Sequence, residues 1–323
     1  VAAITYHDTV NDLQGRFPGG TGPFARREWF ALLERAGHRP LVALADDGRE
    51  QVSIAMTRGP RGLTALTNWY AFTWAPSSLS PLLTELASDL TRAANRIELV
   101  KLPDEDGTAT LLEGTFSAAG WLVRREVCDT NRYLPVQGRT YADYLAARPG
   151  PLRTTLKRKA KKVEVRLSHR FEAADWAAYE EIYRQSWKPA EGDPALLRQF
   201  AMLESDLGHY RFALALADGQ PVAAQFWTVE GGKAYIHKLA HLPSAESLSP
   251  GTTLTAALME LVIDRDGVAE VDFGTGDDGY KRDWMEAVRP RWRLTCLRPA
   301  SPANWPELGK WALRRLVSNR HAA

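Results

Sequence analysis

The chain has 323 residues, 45% hydrophobic and 25% charged, with a formal net charge of +2. That is the profile of a globular protein of one large or two ordinary domains, and it excludes a disordered, collagenous or disulfide-scaffolded chain. No apolar run approaches the roughly 18 residues of a membrane span and the first residues show no signal-peptide pattern. The two cysteines, Cys128 and Cys296, fit a reducing cytoplasm.

In chain order, Phe24, Trp29, Leu32 and Leu33 at helical spacing predict a helix over 24–36. Strands at 41–45 and 52–57 flank Asp46-Asp47-Gly48, a hairpin signal. A third strand at 63–69, a helix at 80–94, a strand at 97–102, a helix at 108–119 and a strand at 121–134 follow. The second half repeats the plan. Helices at 175–186 and 194–207 precede strands at 212–217 and 222–229, which join at Asp218-Gly219-Gln220. A third strand (234–239), a helix from just after Ser249-Pro250-Gly251 to about 264, a strand (269–273), a short helix (280–285) and a strand (292–297) complete it. Hairpin, third strand, helix, strand, helix, strand is one plan used twice. The expected architecture is α/β: two tandem units, each a mixed β-sheet flanked by helices, over 1–148 and 149–300, with an amphipathic basic helix over 301–323.

Charge is uneven. Eight of the 41 basic residues fall between Arg153 and Arg170 against one acid, Glu164, so the rest of the chain is net acidic. Such a run is either a solvated face or a contact for an anionic partner. In the last segment, Trp305, Leu308, Trp311, Ala312, Leu316 and Val317 recur at helical spacing beside Lys310, Arg314, Arg315 and Arg320. This helix suits either the protein's own core or an anionic membrane interface.

Gly274-Thr275-Gly276-Asp277-Asp278-Gly279 matches G-x-G-x-x-G after a strand. Asp277 and Asp278 would face a pyrophosphate, and no strand ending in an acid follows about 20 residues on, so the dinucleotide reading is rejected. The glycines instead predict a tight loop gathering Asp272, Asp277, Tyr280 and Lys281. His237 and His241 lie about 13 Å apart on a strand, too far to share a metal, and no metal is expected. Ser249, Pro250, Gly251, Thr252 and Thr253 join a strand to a helix N-terminus, a turn whose amides and dipole favour an anion.

Several segments carry a resemblance: Pro221-Val222-Ala223-Ala224-Gln225, Tyr235-Ile236-His237-Lys238-Leu239-Ala240, Leu248-Ser249-Pro250-Gly251, and the run from Val271 to Trp284. Together with Phe24-Ala25-Arg26-Arg27-Glu28-Trp29 and Asn68-Trp69-Tyr70 they resemble the tandem GNAT acyltransferases of the cellulose-biosynthesis type, relatives of the Fem-type aminoacyltransferases. The Gln/Arg-x-x-Gly-x-Gly/Ala loop of simple GNATs is absent. The resemblance implies two GNAT-like units with acyl-CoA as co-substrate of the second, held by Leu239, Ser249, Pro250, Gly251, Thr252 and Thr253.

For attack of an amine on a thioester, the amine needs a base, the oxyanion donors and the thiolate a proton. His237 is the expected base, because imidazole titrates near working pH; the other reading is a packed histidine with its N–H satisfied. Tyr280 stands where many GNATs place the acid. Lys281, Asp272 and Asp277 follow the family motif, to bind acceptor or organise the loop. Gln225, Tyr235 and Lys238 are the expected substrate contacts, with Tyr235, His237 and Leu239 on one strand face and Lys238 on the other. The expected function is N-acylation of an amine, of which a sphingoid-type lipid amine is one specific form, in the cytoplasm or peripherally on the inner membrane face. Two alternatives stand: a Fem-like transferase using aminoacyl-tRNA, with residues 157–162 on RNA, and a non-catalytic scaffold. Nucleic acid is the weaker partner, since residues 153–170 lack the heptads of a coiled-coil arm.

Overall fold

The computed structural model describes residues 2–13, 20 and 22–320, the side chains of 314–320 excepted. In chain order the elements are β1 (Ala3–His7), α1 (Arg27–Arg35), β2 (Pro40–Asp46), β3 (Gln51–Gly59), β4 (Gly62–Ala65), α2 (Leu82–Ala93), β5 (Arg96–Leu102), α3 (Thr108–Ala118) and β6 (Leu122–Pro135). There follow α4 (Tyr141–Ala146), α5 (Gly150–Lys159), β7 (Glu164–Ser168), α6 (Ala173–Gln185), α7 (Pro194–Asp206), β8 (Tyr210–Ala217), β9 (Gln220–Glu230) and β10 (Lys233–His241). Last come α8 (Pro250–Glu260), β11 (Glu270–Thr275), α9 (Gly279–Trp284), β12 (Ala287–Leu297) and α10 (Trp305–Arg320).

Local chemistry sets the joints. Asp218 and Gly219 take φ of 50° and 75°, and Gly231 and Gly232 take 56° and 75°; such pairs of left-handed residues make the tight turns that β8–β9 and β9–β10 require. Asp193 caps α7 by accepting the Leu196 N–H at 2.9 Å, with Pro194 at the first helical position. Sequence reading overlooks α4 and α5. The first is too short for an apolar stripe and rests on a capping box between Thr140 and Asp143. The second buries only Leu152 and Leu156 beneath its charges.

The chain divides into two compact units, Val1–Asp129 with Pro290–Ala323, and Thr130–Arg289. In the first, β1 to β5 follow one another in order and β12 lies beside β5. Sequence reading places the strand at 292–297 in the second unit. It pairs instead antiparallel with β5, from Trp292 opposite Leu102 to Leu297 opposite Arg96. Conversely, the C-terminal half of β6 pairs with β11, Val271 opposite Leu134 and Asp272 opposite Tyr133. The unit boundaries therefore fall inside strands, not at the 148/149 and 300/301 turns. Pro-Gly signals mark turns, whereas strand partnership is non-local and leaves no such mark.

The second unit has the strand order β6-β11-β10-β9-β8-β7. One face buries Trp227, Ile236, Val271 and Phe273 against Leu254 and Leu258 of α8 and Leu152 and Leu156 of α5. Each fully buried side chain of this kind contributes roughly 1.5–3 kcal/mol. The other face is aromatic: Trp176 of α6 lies 5.4 Å from Phe226, and Phe200 of α7 lies 5.9 Å from it. No helix among the described residues is long and apolar enough to cross a membrane.

Candidate active site

Strands β10 and β11 run parallel with three paired positions, Lys233 with Glu270, Ala234 with Val271 and Tyr235 with Asp272. Pairing ends there, although β10 continues to His241 and β11 to Thr275. Beyond Tyr235, among the described residues, the β11 side of β10 has no neighbouring strand, a place where an extended ligand can lie and pair as a strand would. The chain leaving β10 then reaches α8. Ser249 precedes that helix in the left-handed conformation, φ 53° and ψ 48°, and its Oγ accepts a hydrogen bond from Lys159 Nζ at 3.0 Å. A cation from α5 and the first-turn amides of an 11-residue helix thus meet at one point, which is the chemistry of a phosphate site. A Cβ on Gly251 would lie 3.5 Å from the His241 ring, in ordinary contact.

The register of β10 against β9 slips between Ile236 and Lys238. This bulge, invisible to an alternation rule, corrects the expected facing. His237 sits 5.1 Å from both Phe226 and Phe200, with its Nε2 2.8 Å from Thr228 Oγ1. Lys238 turns to the same α6–α7 side, donating to Glu191 Oε1 at 2.8 Å and lying 5.4 Å from the Tyr183 ring. Burial pulls the Lys238 pKa down despite that partner. The Tyr235 ring stacks on His237 at 6.4 Å, and burial raises its phenol pKa well above the ordinary range. Leu239, past the bulge, packs on the α8-side core.

Gln225 departs from its expected role. Its Nε2 donates to Gly251 O at 2.9 Å and Thr255 Oγ1 at 2.8 Å, and its Oε1 accepts from Trp227 Nε1 at 3.0 Å. The amide therefore ties β9 to the first turn of α8, holding the anion-type turn from behind.

The glycine loop gathers the expected residues with unequal functions. Asp272, 1% exposed, accepts from Asn131 Nδ2 (2.6 Å), Gly274 N–H (2.7 Å) and Arg289 (2.8 Å). That is a structural anchor for the turn. Asp277 is held by Arg132 and Arg282, which keep its carboxyl below the usual range. Lys281 is buried and donates to Thr275 O at 2.5 Å. Tyr280 is 42% exposed, its ring edge-on to Phe273 at 5.5 Å; burial of the hydroxyl, helped by Asp278, pushes its pKa up to about 12. Sequence reading missed Asn131, Arg289 and Glu191. No spacing motif marks them, because strand pairing and loop packing bring them in.

The corresponding opening in the first unit is filled by its own chain. Strands β4 and β5 pair at Leu63 with Ile97 and Thr64 with Glu98. Beyond, Lys101 Nζ donates to Asn68 O (2.8 Å) and Ala71 O (2.6 Å). Trp74, 2% exposed, donates its backbone N–H to Lys101 O at 3.1 Å and its indole N–H to Ala55 O at 3.1 Å. Among the described residues, one group has ligand atoms within 4.8 Å of one another: Glu204, His209 and Glu230, remote along β9 from the opening. His237 and His241 form no such group.

Residues 151–282 match the family described as an acetyltransferase (GNAT) domain. The α/β fold, a mixed sheet with flanking helices, is GNAT-like. Among solved structures, one titled FemX is 10% identical, covering 90% of this chain and 96% of its own, with a TM-score of 0.63. L-PGS from Bacillus licheniformis is 11% identical with 96% of each chain covered and a TM-score of 0.59. A tandem GNAT protein from the clavulanic acid pathway is 11% identical, covering 93% of this chain and all of its own, at 0.52. At such identities these likenesses speak for the fold alone. No curated protein matches the chain.

Proposed function

We propose that the second unit is an N-acyltransferase that takes an acyl-CoA donor and forms an amide on an amine, as in the cellulose-biosynthesis-type GNATs. The carrying observation is the parting of β10 and β11 beside a helix N-terminus that Lys159 faces. In this reading the first-turn amides of Gly251 and Thr252, with Lys159, hold the pyrophosphate, and the exposed edge of β10 pairs with the amide-bearing arm. His237 accepts a proton from the amine as its nitrogen bonds the carbonyl carbon, and the carbon–sulfur bond breaks. A phenol at about 12 keeps its proton at working pH, so Tyr280 donates a hydrogen bond to the departing sulfur. Full protonation of a thiolate of pKa about 8.5 by such a phenol is uphill, so solvent completes it. The first unit, its opening closed by Lys101 and Trp74, takes no donor.

Gly251→Glu places a carboxylate where the phosphates would lie and is expected to abolish acetyl-CoA binding in calorimetry; unchanged affinity would overturn the assignment. Tyr280→Phe is expected to lower turnover about 100-fold, the low end of acid–base effects, with donor affinity intact. A turnover within twofold of wild type would remove Tyr280 from the mechanism.

A second reading, a Fem-like transfer from aminoacyl-tRNA, is favoured by one observation. Arg153, Lys157, Arg158, Lys161 and Lys162 are all exposed on and after α5, next to the Lys159–Ser249 contact. A nucleic-acid donor would bind with affinity falling steeply as salt rises; acetyl-CoA affinity would fall far less. Transfer from neither donor would favour the non-catalytic scaffold. For a lipid amine at a membrane surface, half of the basis, Arg314, Arg315, Leu316, Val317 and Arg320, lies outside the residues whose side chains are described.

A further inference from the structure

Beside the opening, on the α6–α7 side of the second unit, lies a cavity of about 550 Å³ walled by Tyr179, Tyr183, Pro194 and Leu197, with Lys188 and Glu191 at its border. Four charged residues line it, Glu180, Arg184, Lys188 and Glu191, and Lys238 and Lys281 stand near Lys188. Lys238 is answered by Glu191 at 2.8 Å, which also accepts from Tyr179 OH at 3.2 Å. Lys281 is answered by Asp278 at 3.8 Å. Among the described residues Lys188 has no ion pair; its ammonium lies 5.8 Å from the Trp187 ring. Arg184 is answered by Glu181 at 2.6 Å and Glu180 by Arg198 at 3.6 Å, so among the described residues Lys188 is the lining cation without an ion pair, beside an aromatic space. Trp187, next to Lys188 in the chain, lies 4.3 Å from the His241 ring, which borders Gly251.

We propose that Lys188 binds a carboxylate on the acceptor, which is an amino acid or amino-acid-like amine whose apolar side chain occupies the cavity of Tyr179, Tyr183 and Leu197. One unanswered cation fits one monoanion, and aromatic walls fit an apolar body. This inference rests on the transferase reading for the word acceptor, but the site itself stands on the cavity and its charges. Burial, with the nearby charges of Lys238 and Lys281, lowers the Lys188 pKa to about 8, against the weaker opposite pull of Asp278 and Glu191. The free site therefore holds its charge below about pH 8 and loses it above, and anion affinity should fall as pH rises through that value.

The probes are 3-phenylpropionate, a carboxylate with an aromatic body and no amine, and its uncharged amide, titrated against the full chain. The carboxylate is expected to bind at least tenfold more tightly than the amide. Lys188→Gln should lose that tenfold and the fall above pH 8, while Lys188→Arg should keep the carboxylate preference with no fall at that pH. Equal binding of the two probes, or binding indifferent to Lys188→Gln in a folded variant, overturns the proposal. So does tighter binding of phosphoethanolamine than of either probe, which would make the anion a phosphate. Transfer from acetyl-CoA to L-phenylalanine and to its amide is measured in parallel. Transfer to both alike would leave the transferase reading standing and sink the carboxylate site. Lys188-dependent probe binding without transfer from any thioester would sink the transferase reading and keep the site.

Discussion

Arg289→Ala is expected to destabilise the second unit by about 3–5 kcal/mol, the range for removing one partner of a buried charge pair. The guanidinium is 8% exposed and serves three residues at once. It donates to Asn131 Oδ1 at 2.6 Å, to both oxygens of Glu270 at 2.8 and 3.1 Å, and to Asp272 at 2.8 Å, while its plane lies 4.2 Å from the Tyr133 ring. Truncation would leave the Asp272 carboxylate buried without its cation, and the low local dielectric magnifies that cost. Arg289→Lys should recover little, since an ammonium cannot reproduce a planar fork shared among three acceptors. The measurement is urea unfolding of each variant with hydrogen exchange of the β11 amides. Loss of protection should centre on β11 and the turn at Gly274. A loss below about 1 kcal/mol would mean that the network is relaxed or hydrated and that Asp272 is free for other work.

This network shows where sequence reading stops. The run from Asp272 to Lys281 is legible as a glycine-rich turn, and the structure puts Asp272, Asp277, Tyr280 and Lys281 around it. Their division of labour is not legible, because it depends on Asn131 and Arg289, which are 141 and 17 residues from Asp272. The repeated element order is legible from periodicity and turn chemistry, down to the Asp218-Gly219 and Gly231-Gly232 turns. The pairing of β12 with β5 is not, since a strand of alternating pattern carries no label for its partner. The same limit applies inside β10: alternation predicts opposite faces for His237 and Lys238, and one slipped residue puts both on the α6–α7 side. Lys188 and Glu191 lie between helices, in a segment without periodicity, and become informative once the cavity beside them is seen.

The bulge bears directly on the proposed base, His237. Alternation groups His237 with Tyr235 and Leu239 and says nothing of its other neighbours; the structure gives it Thr228 as a partner and Phe226 and Phe200 as walls. His237→Ala is expected to lower single-turnover transfer about 10²–10⁴-fold, with acyl-CoA affinity within twofold of wild type. The decisive controls separate chemistry from packing. His237→Gln keeps an amide able to meet Thr228 but cannot take a proton at working pH, so it should lose nearly as much rate as alanine while unfolding at the wild-type denaturant concentration. Thr228→Val removes the orienting contact and leaves the imidazole, so about a tenfold loss is expected, with the pH profile kept. A glutamine variant as fast as wild type would make His237 a packing residue between two aromatic rings. The base would then have to be sought among groups facing the same opening, with the Lys238–Glu191 pair first.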